Sequence, residues 1–110
     1  MPRIDDEQAN INSLTEEFNT EMLSIFERER EIGLCSTRFL EGVRNHGGVG
    51  YAHRLLQKAD SDLPKDTFSF LRTIGRLDLT AEYWVVQDRF RPLFKDHERD
   101  IARWRLDHGD

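Results

Sequence analysis

Apolar side chains recur at three- and four-residue intervals along most of this 110-residue chain, and no stretch alternates them one for one. That period belongs to helices with one buried face, and its twofold counterpart would have marked strands. The spacing predicts an all-α domain of five to six short helices with a longer amphipathic helix ahead of them. Residues 1–12 lack the period and are expected to form a flexible acidic arm, with residues 13–110 as the single domain. Ser13-Leu14-Thr15-Glu16 matches a capping box. Leu14, Phe18, Met22, Ile25 and Phe26 then form one narrow stripe over a helix of about 14–31, ending near Gly33. Ser36 or Thr37 is expected to cap a second helix, broken at Asn45-His46-Gly47-Gly48, and a third spans about 49–58. Residues 59–66 read as a loop, with Asp66 or Thr67 capping a fourth helix.

The densest apolar cluster surrounds Gly75: Phe68, Phe70, Leu71 and Ile74 before it, Leu77, Leu79, Tyr83, Trp84, Val85 and Val86 after it. Gly75 fits the left-handed position that closes a helix, and Thr80 or Asp78 can cap the next one. The corner is expected to be the core. Pro92 bars a continuous helix through residues 88–94. Asp96 is expected to start a last helix that buries Ile101, Ala102 and Trp104 and stops at Gly109.

Charged residues make up 34% of the chain and the net charge is −5. The excess sits at one end, since residues 1–35 hold nine acids against three bases while the remainder is nearly balanced. Such a balance argues against nucleic-acid binding by the chain as a whole, although a local basic face would still bind by counterion release. One cysteine, Cys35, excludes an internal disulfide. No apolar run is long enough to cross a membrane, and the acidic start is unlike a signal peptide. The expectation is a cytoplasmic protein without membrane attachment.

Candidate chemistry is sparse. Arg38, Arg44, His46, Gly47, Gly48, Arg54 and Arg76 are candidate anion or nucleotide ligands, because free N–H groups at a helix start after Gly47-Gly48 would favour negative charge. His53 and Arg72 lie in the same middle helices. The four histidines lack the spacing that puts two metal ligands on one helical face, so no metal and no cofactor are expected. No nucleophile stands beside a base in sequence, and no catalytic residue is assigned. The helix after Thr80 is apolar where a recognition helix would read bases. Arg76 and Asp78 are each expected to pair with a neighbouring helix, pinning the geometry of the corner.

Arg38-Phe39-Leu40, His46-Gly47-Gly48, Ala52 with Leu55-Leu56, Gly75-Arg76-Leu77-Asp78-Leu79-Thr80 with Glu82, Leu93-Phe94 and Ile101-Ala102-Arg103 together resemble a family of short bacterial α-helical proteins of unassigned activity. The resemblance implies a small cytoplasmic helical protein, an accessory of a mobile-element or defence locus. The expected function is a non-enzymatic interaction module that self-associates through the stripe Leu14, Phe18, Met22, Ile25 and Phe26. Anion binding at Gly47-Gly48 and nucleic-acid binding by a basic face are the alternatives.

Overall fold

The structure is a computed structural model that describes residues 2–58 and 65–108, with side chains described for 9–58 and 67–108. It is a single all-α domain with no strand among the described residues. The helices are α1 (Pro2–Glu31), α2 (Thr37–Gln57), α3 (Lys65–Thr73), α4 (Ala81–Val85) and α5 (Asp96–His108). Two 3₁₀ segments, Leu77–Leu79 and Asp88–Leu93, complete the order. Of the expected loop at 59–66, residues 59–64 lie outside the described residues, as does the stop at Gly109. Residues 65 and 66 belong to α3, so neither Asp66 nor Thr67 stands ahead of that helix as its cap.

α1 starts at Pro2, well before the expected Ser13, so the predicted arm is helical. Proline suits the first helical position, where its missing N–H bonds nothing anyway. The Thr15 hydroxyl donates to the Ile11 carbonyl, as a residue inside a helix does. At 1.5 Å per residue α1 is about 45 Å long, which sets the 50 Å long axis of the molecule. It closes near Gly33, as the sequence predicts, through bonds from the Gly33 N–H to the Arg30 carbonyl and from the Leu34 N–H to the Glu29 carbonyl.

The expected second and third helices are the two halves of α2, joined through a kink. Gly47 sits there at φ 75°, ψ 161°, a region only glycine occupies without strain. Ser36 stands at the start of α2 but caps nothing. Its hydroxyl donates instead to the buried Glu29 carboxylate at 2.8 Å.

The core lies along α1 and α2, and the expectation that it centres on Gly75 is corrected. Phe18, Met22 and Ile25 of α1 meet Val43, Tyr51, Ala52 and Leu55 of α2. Phe18 also packs edge-on against Phe90 and beside Phe94, each 5.1 Å away. Around the corner Phe68, Leu71, Leu79 and Val85 are buried, but Phe70 and Ile74 are about two-fifths exposed, at 44% and 42%. α3 has nine residues, too few to turn both its sides onto a body. The local predictions hold: Gly75 has φ 71°, the Arg76 N–H reaches back to the Leu71 carbonyl, and Thr80 accepts the Tyr83 N–H at 3.2 Å.

α5 departs most from its apolar reading. Trp104 is 60% exposed, whereas Glu98, Arg99, Ala102 and Arg105 are buried. Arg105 donates to the Leu55 carbonyl at 3.0 Å, the Lys58 carbonyl at 2.8 Å and Glu82 at 3.2 Å. One guanidinium thus ties the end of α2, α4 and α5 together. Arg72 adds bonds to the Arg105 and Leu106 carbonyls, fastening α3 to the end of α5.

Glu29 carries a pH prediction. Burial raises its carboxyl above the ordinary 4.5, outweighing the Ser36 hydrogen bond that lowers it. A raised folded value means the native state holds a proton that the unfolded chain gives up. Stability is therefore lost as pH climbs from 4.5 through the folded value. Glu29→Gln keeps the acceptor for Ser36 and never ionises. It is expected to melt higher than the parent at neutral pH, with the gap closing toward pH 4.5, when both are followed by circular dichroism. A gap independent of pH would refute the assignment to Glu29.

Candidate functional site

The stripe assigned to a partner is largely the protein's own core. Phe18, Met22 and Ile25 are at most 1% exposed; Leu14 packs at the margin of the same cluster and Phe26 is partly covered. Self-association through that face is corrected, because α2 and the segment at Phe90 already cover it. What α1 leaves uncovered is its beginning: Ala9 through Ser13 are all exposed, and burial begins only past Leu14. α1 therefore runs beyond the body as a single helix.

The candidate anion residues are divided by the fold. Gly48 is buried against α1, and its N–H donates to the Asn19 side-chain oxygen at 2.9 Å. The helix start that was to hold an anion is thus occupied by a side chain of α1, and Gly47 serves the kink. Arg76 lies at the corner, where its guanidinium donates to both oxygens of Asp78 at 3.0 and 3.3 Å. Arg76 thus pairs with Asp78 instead of with a neighbouring helix, while Asp78 reaches one, with Arg28 of α1 3.9 Å from its carboxylate. Arg44 is exposed outside the lining of any described cleft.

The remaining candidates do converge. Arg38, His46 and Arg54 line one groove of about 260 Å³ with Glu41, Asn45 and Lys58. The kink makes this groove by turning the second half of α2 so that Tyr51 lies across Gly42, where a Cβ would come within 2.1 Å of the ring. Phe39 buttresses Tyr51 edge-on at 5.3 Å. Three basic side chains and a histidine face one carboxylate, so the groove is electropositive on a chain of net charge −5. Lys58 and the role of Tyr51 were missed in sequence, because only the kink angle brings positions 38, 42, 51 and 58 to one place.

The glycine corner is itself open to solvent, as a cleft of about 400 Å³ lined by Arg28, Gly75, Leu77, Asp78, Tyr83 and Trp84. Its polar groups are bound to one another: beside the Asp78 pairs, the Trp84 indole N–H donates to the Asp78 carbonyl at 2.9 Å. That geometry braces the turn. His53 points away from the basic groove, toward Glu98 on α5. Among the described residues no group of three histidine, cysteine or acidic side chains could hold a metal ion, and no helix is long and apolar enough to cross a membrane. Neither the family models, nor the curated proteins, nor the solved structures give a match to this chain.

Proposed function

We propose that this protein is a self-associating helical interaction module in which the exposed beginning of α1 from one copy lies along the basic α2 groove of another. The observation that carries the reading is the separation of charge. Residues 2–17 hold Asp5, Asp6, Glu7, Glu16 and Glu17 against Arg3 alone, and the groove gathers Arg38, His46, Arg54 and Lys58 around Glu41. Because α1 is one unbroken helix whose side chains are exposed from Ala9 to Ser13, its beginning is available to the groove of a second copy. Ile11, 38% exposed, stands seven residues before Phe18 and extends the same helical face, so it supplies an apolar contact within the ionic one. Two copies exchanging arms form two such contacts about a twofold axis, which closes the assembly.

Exposed ion pairs contribute only about 0.2–1 kcal/mol each, so the association is weak and sensitive to salt, whose screening length is about 8 Å at physiological strength. Sedimentation velocity of the whole chain is expected to show a dimer at low salt that dissociates as salt is raised. Reversing the arm (Glu16→Lys with Glu17→Lys) or the groove (Arg38→Glu with Arg54→Glu) is expected to yield monomers. Mixing the two variants restores the dimer, since each then offers the other an opposite charge. A wild-type monomer at low salt, or two variants that sediment like the parent, rules out the proposal.

A further inference from the structure

The geometry points to a second binding site, separate from the basic groove: we propose that the cleft between the end of α2 and the start of α5 binds a phosphate group through His53, Lys95 and His97. The cleft has a volume of about 240 Å³ and is lined by His53, Leu56, Gln57, Lys95, His97 and Glu98. That is about eight times the 30 Å³ a water molecule occupies in the liquid, space for a phosphate and part of what it is attached to.

His53 is held in place on two sides. Its Nδ1 lies 2.5 Å from Glu98 Oε2, and its ring sits 5.1 Å from that of Phe94. Glu98 is fixed in turn, since its other oxygen accepts the Lys95 backbone N–H at 3.0 Å. A carboxylate engaged at one ring nitrogen orients the imidazole and leaves the other nitrogen for a ligand. His53 Nε2 makes no hydrogen bond to the described residues, and a third of the side chain is exposed to the cleft.

These bonds also occupy the one carboxylate in the lining. Burial raises the Glu98 carboxyl, but the Lys95 N–H, the His53 hydrogen bond and the charges of His53 and His97 together hold it below its ordinary 4.5. It is thus an ionised group whose two oxygens are already engaged, by His53 and by the Lys95 backbone N–H, while Lys95, His53 and His97 complete the lining. With Nδ1 held by Glu98, His53 Nε2 accepts from a phosphate P–OH when the ring is neutral and donates to a phosphate oxygen when it is protonated. Lys95, His97 and the Gln57 amide add donors around the same cavity, which suits a tetrahedral oxyanion in either form. A metal ion does not fit, because the histidines and Glu98 do not form a ligand group of three.

The test follows the imidazole resonances of the whole chain by NMR as inorganic phosphate is added at constant ionic strength. Saturable shifts are expected at His53 and His97, with His46 and His108 unmoved. Lys95→Met and His97→Gln alter exposed side chains and leave the helical circular dichroism intact; each is expected to weaken binding about tenfold. Reversing the basic groove at Arg38 and Arg54 leaves the phosphate affinity unchanged, which separates this site from the self-association. A parallel titration with a phosphate monoester identifies the source: tighter binding than inorganic phosphate marks an esterified ligand, and equal or weaker binding marks the free ion. Shifts that never saturate, equal shifts at all four histidines, or unchanged affinity in both variants overturn the proposal.

Discussion

Arg105→Met is expected to destabilise the protein by about 3–5 kcal/mol, the range for breaking one side of a buried ion pair. Glu82 is 2% exposed and Arg105 4%, so removing the guanidinium strands a charge where water cannot reach it. The Lys58 carbonyl at the end of α2 loses its Arg105 donor in the same step, and the Leu55 carbonyl keeps only the bond from the Lys58 N–H at 3.3 Å. Carbonyls at a helix end lack the partners that a further turn would supply. For a domain whose total stability is about 5–15 kcal/mol, the change is a large fraction. Urea unfolding monitored by circular dichroism measures it. Combining Arg105→Met with Glu82→Leu removes both charges and is expected to recover much of the loss. A single variant within about 1 kcal/mol of the parent would mean that Arg105 is not the tie the contacts imply.

The second large effect is at Gly48. A Cβ there would lie 2.7 Å from the Asn19 Cα and 3.1 Å from Met22 Cγ. The first of these belongs to the α1 backbone, which cannot rotate aside as a side chain does. Gly48→Val must push α1 from α2 and lengthen the bond from the Gly48 N–H to Asn19. Overpacking of this kind costs about 1–3 kcal/mol, and the hydrogen bond adds about 1. The neighbouring Gly50→Ala is the control. Its Cβ would meet nothing nearer than His46 Cβ at 3.5 Å, and alanine favours the helix. Unfolding midpoints are therefore expected to fall clearly for the first variant and hold or rise for the second. Equal midpoints would show that the helices do not approach as closely as the contact requires.

These two residues also show where a sequence is legible and where it is not. The α1 stripe, the turn at Gly75 and the Thr80 cap are local patterns, set by neighbours within four positions, and each is found where the pattern puts it. The buried face of α5 carries Glu98, Arg99 and Arg105, which no apolar period reveals. Charges go inside only when partners far along the chain neutralise them. Phe70, Ile74 and Trp104 err in the opposite sense, exposed because the body has no second layer to cover them. Pro2 begins a helix without the capping box that Ser13 offered. Among the candidate site residues, Arg38, His46 and Arg54 meet because Gly47 bends α2, whereas Arg76 is drawn to Asp78 two positions on. His53 and Glu98 are 45 residues apart, and nothing in their local surroundings announces that they touch.

The contacts of Arg105 also bear on how the molecule is made. Glu82 precedes its partner by 23 residues and Leu55 by 50, so the tie forms only once nearly all of the described chain has been made. α1 and α2 can zip together early, since they are consecutive and share the apolar interior. The lower end of the bundle stays unlatched until α5 has been synthesised and has swung in. A chain cut short ahead of residue 105 lacks this latch altogether, and both Glu82 and the end of α2 are then without their guanidinium.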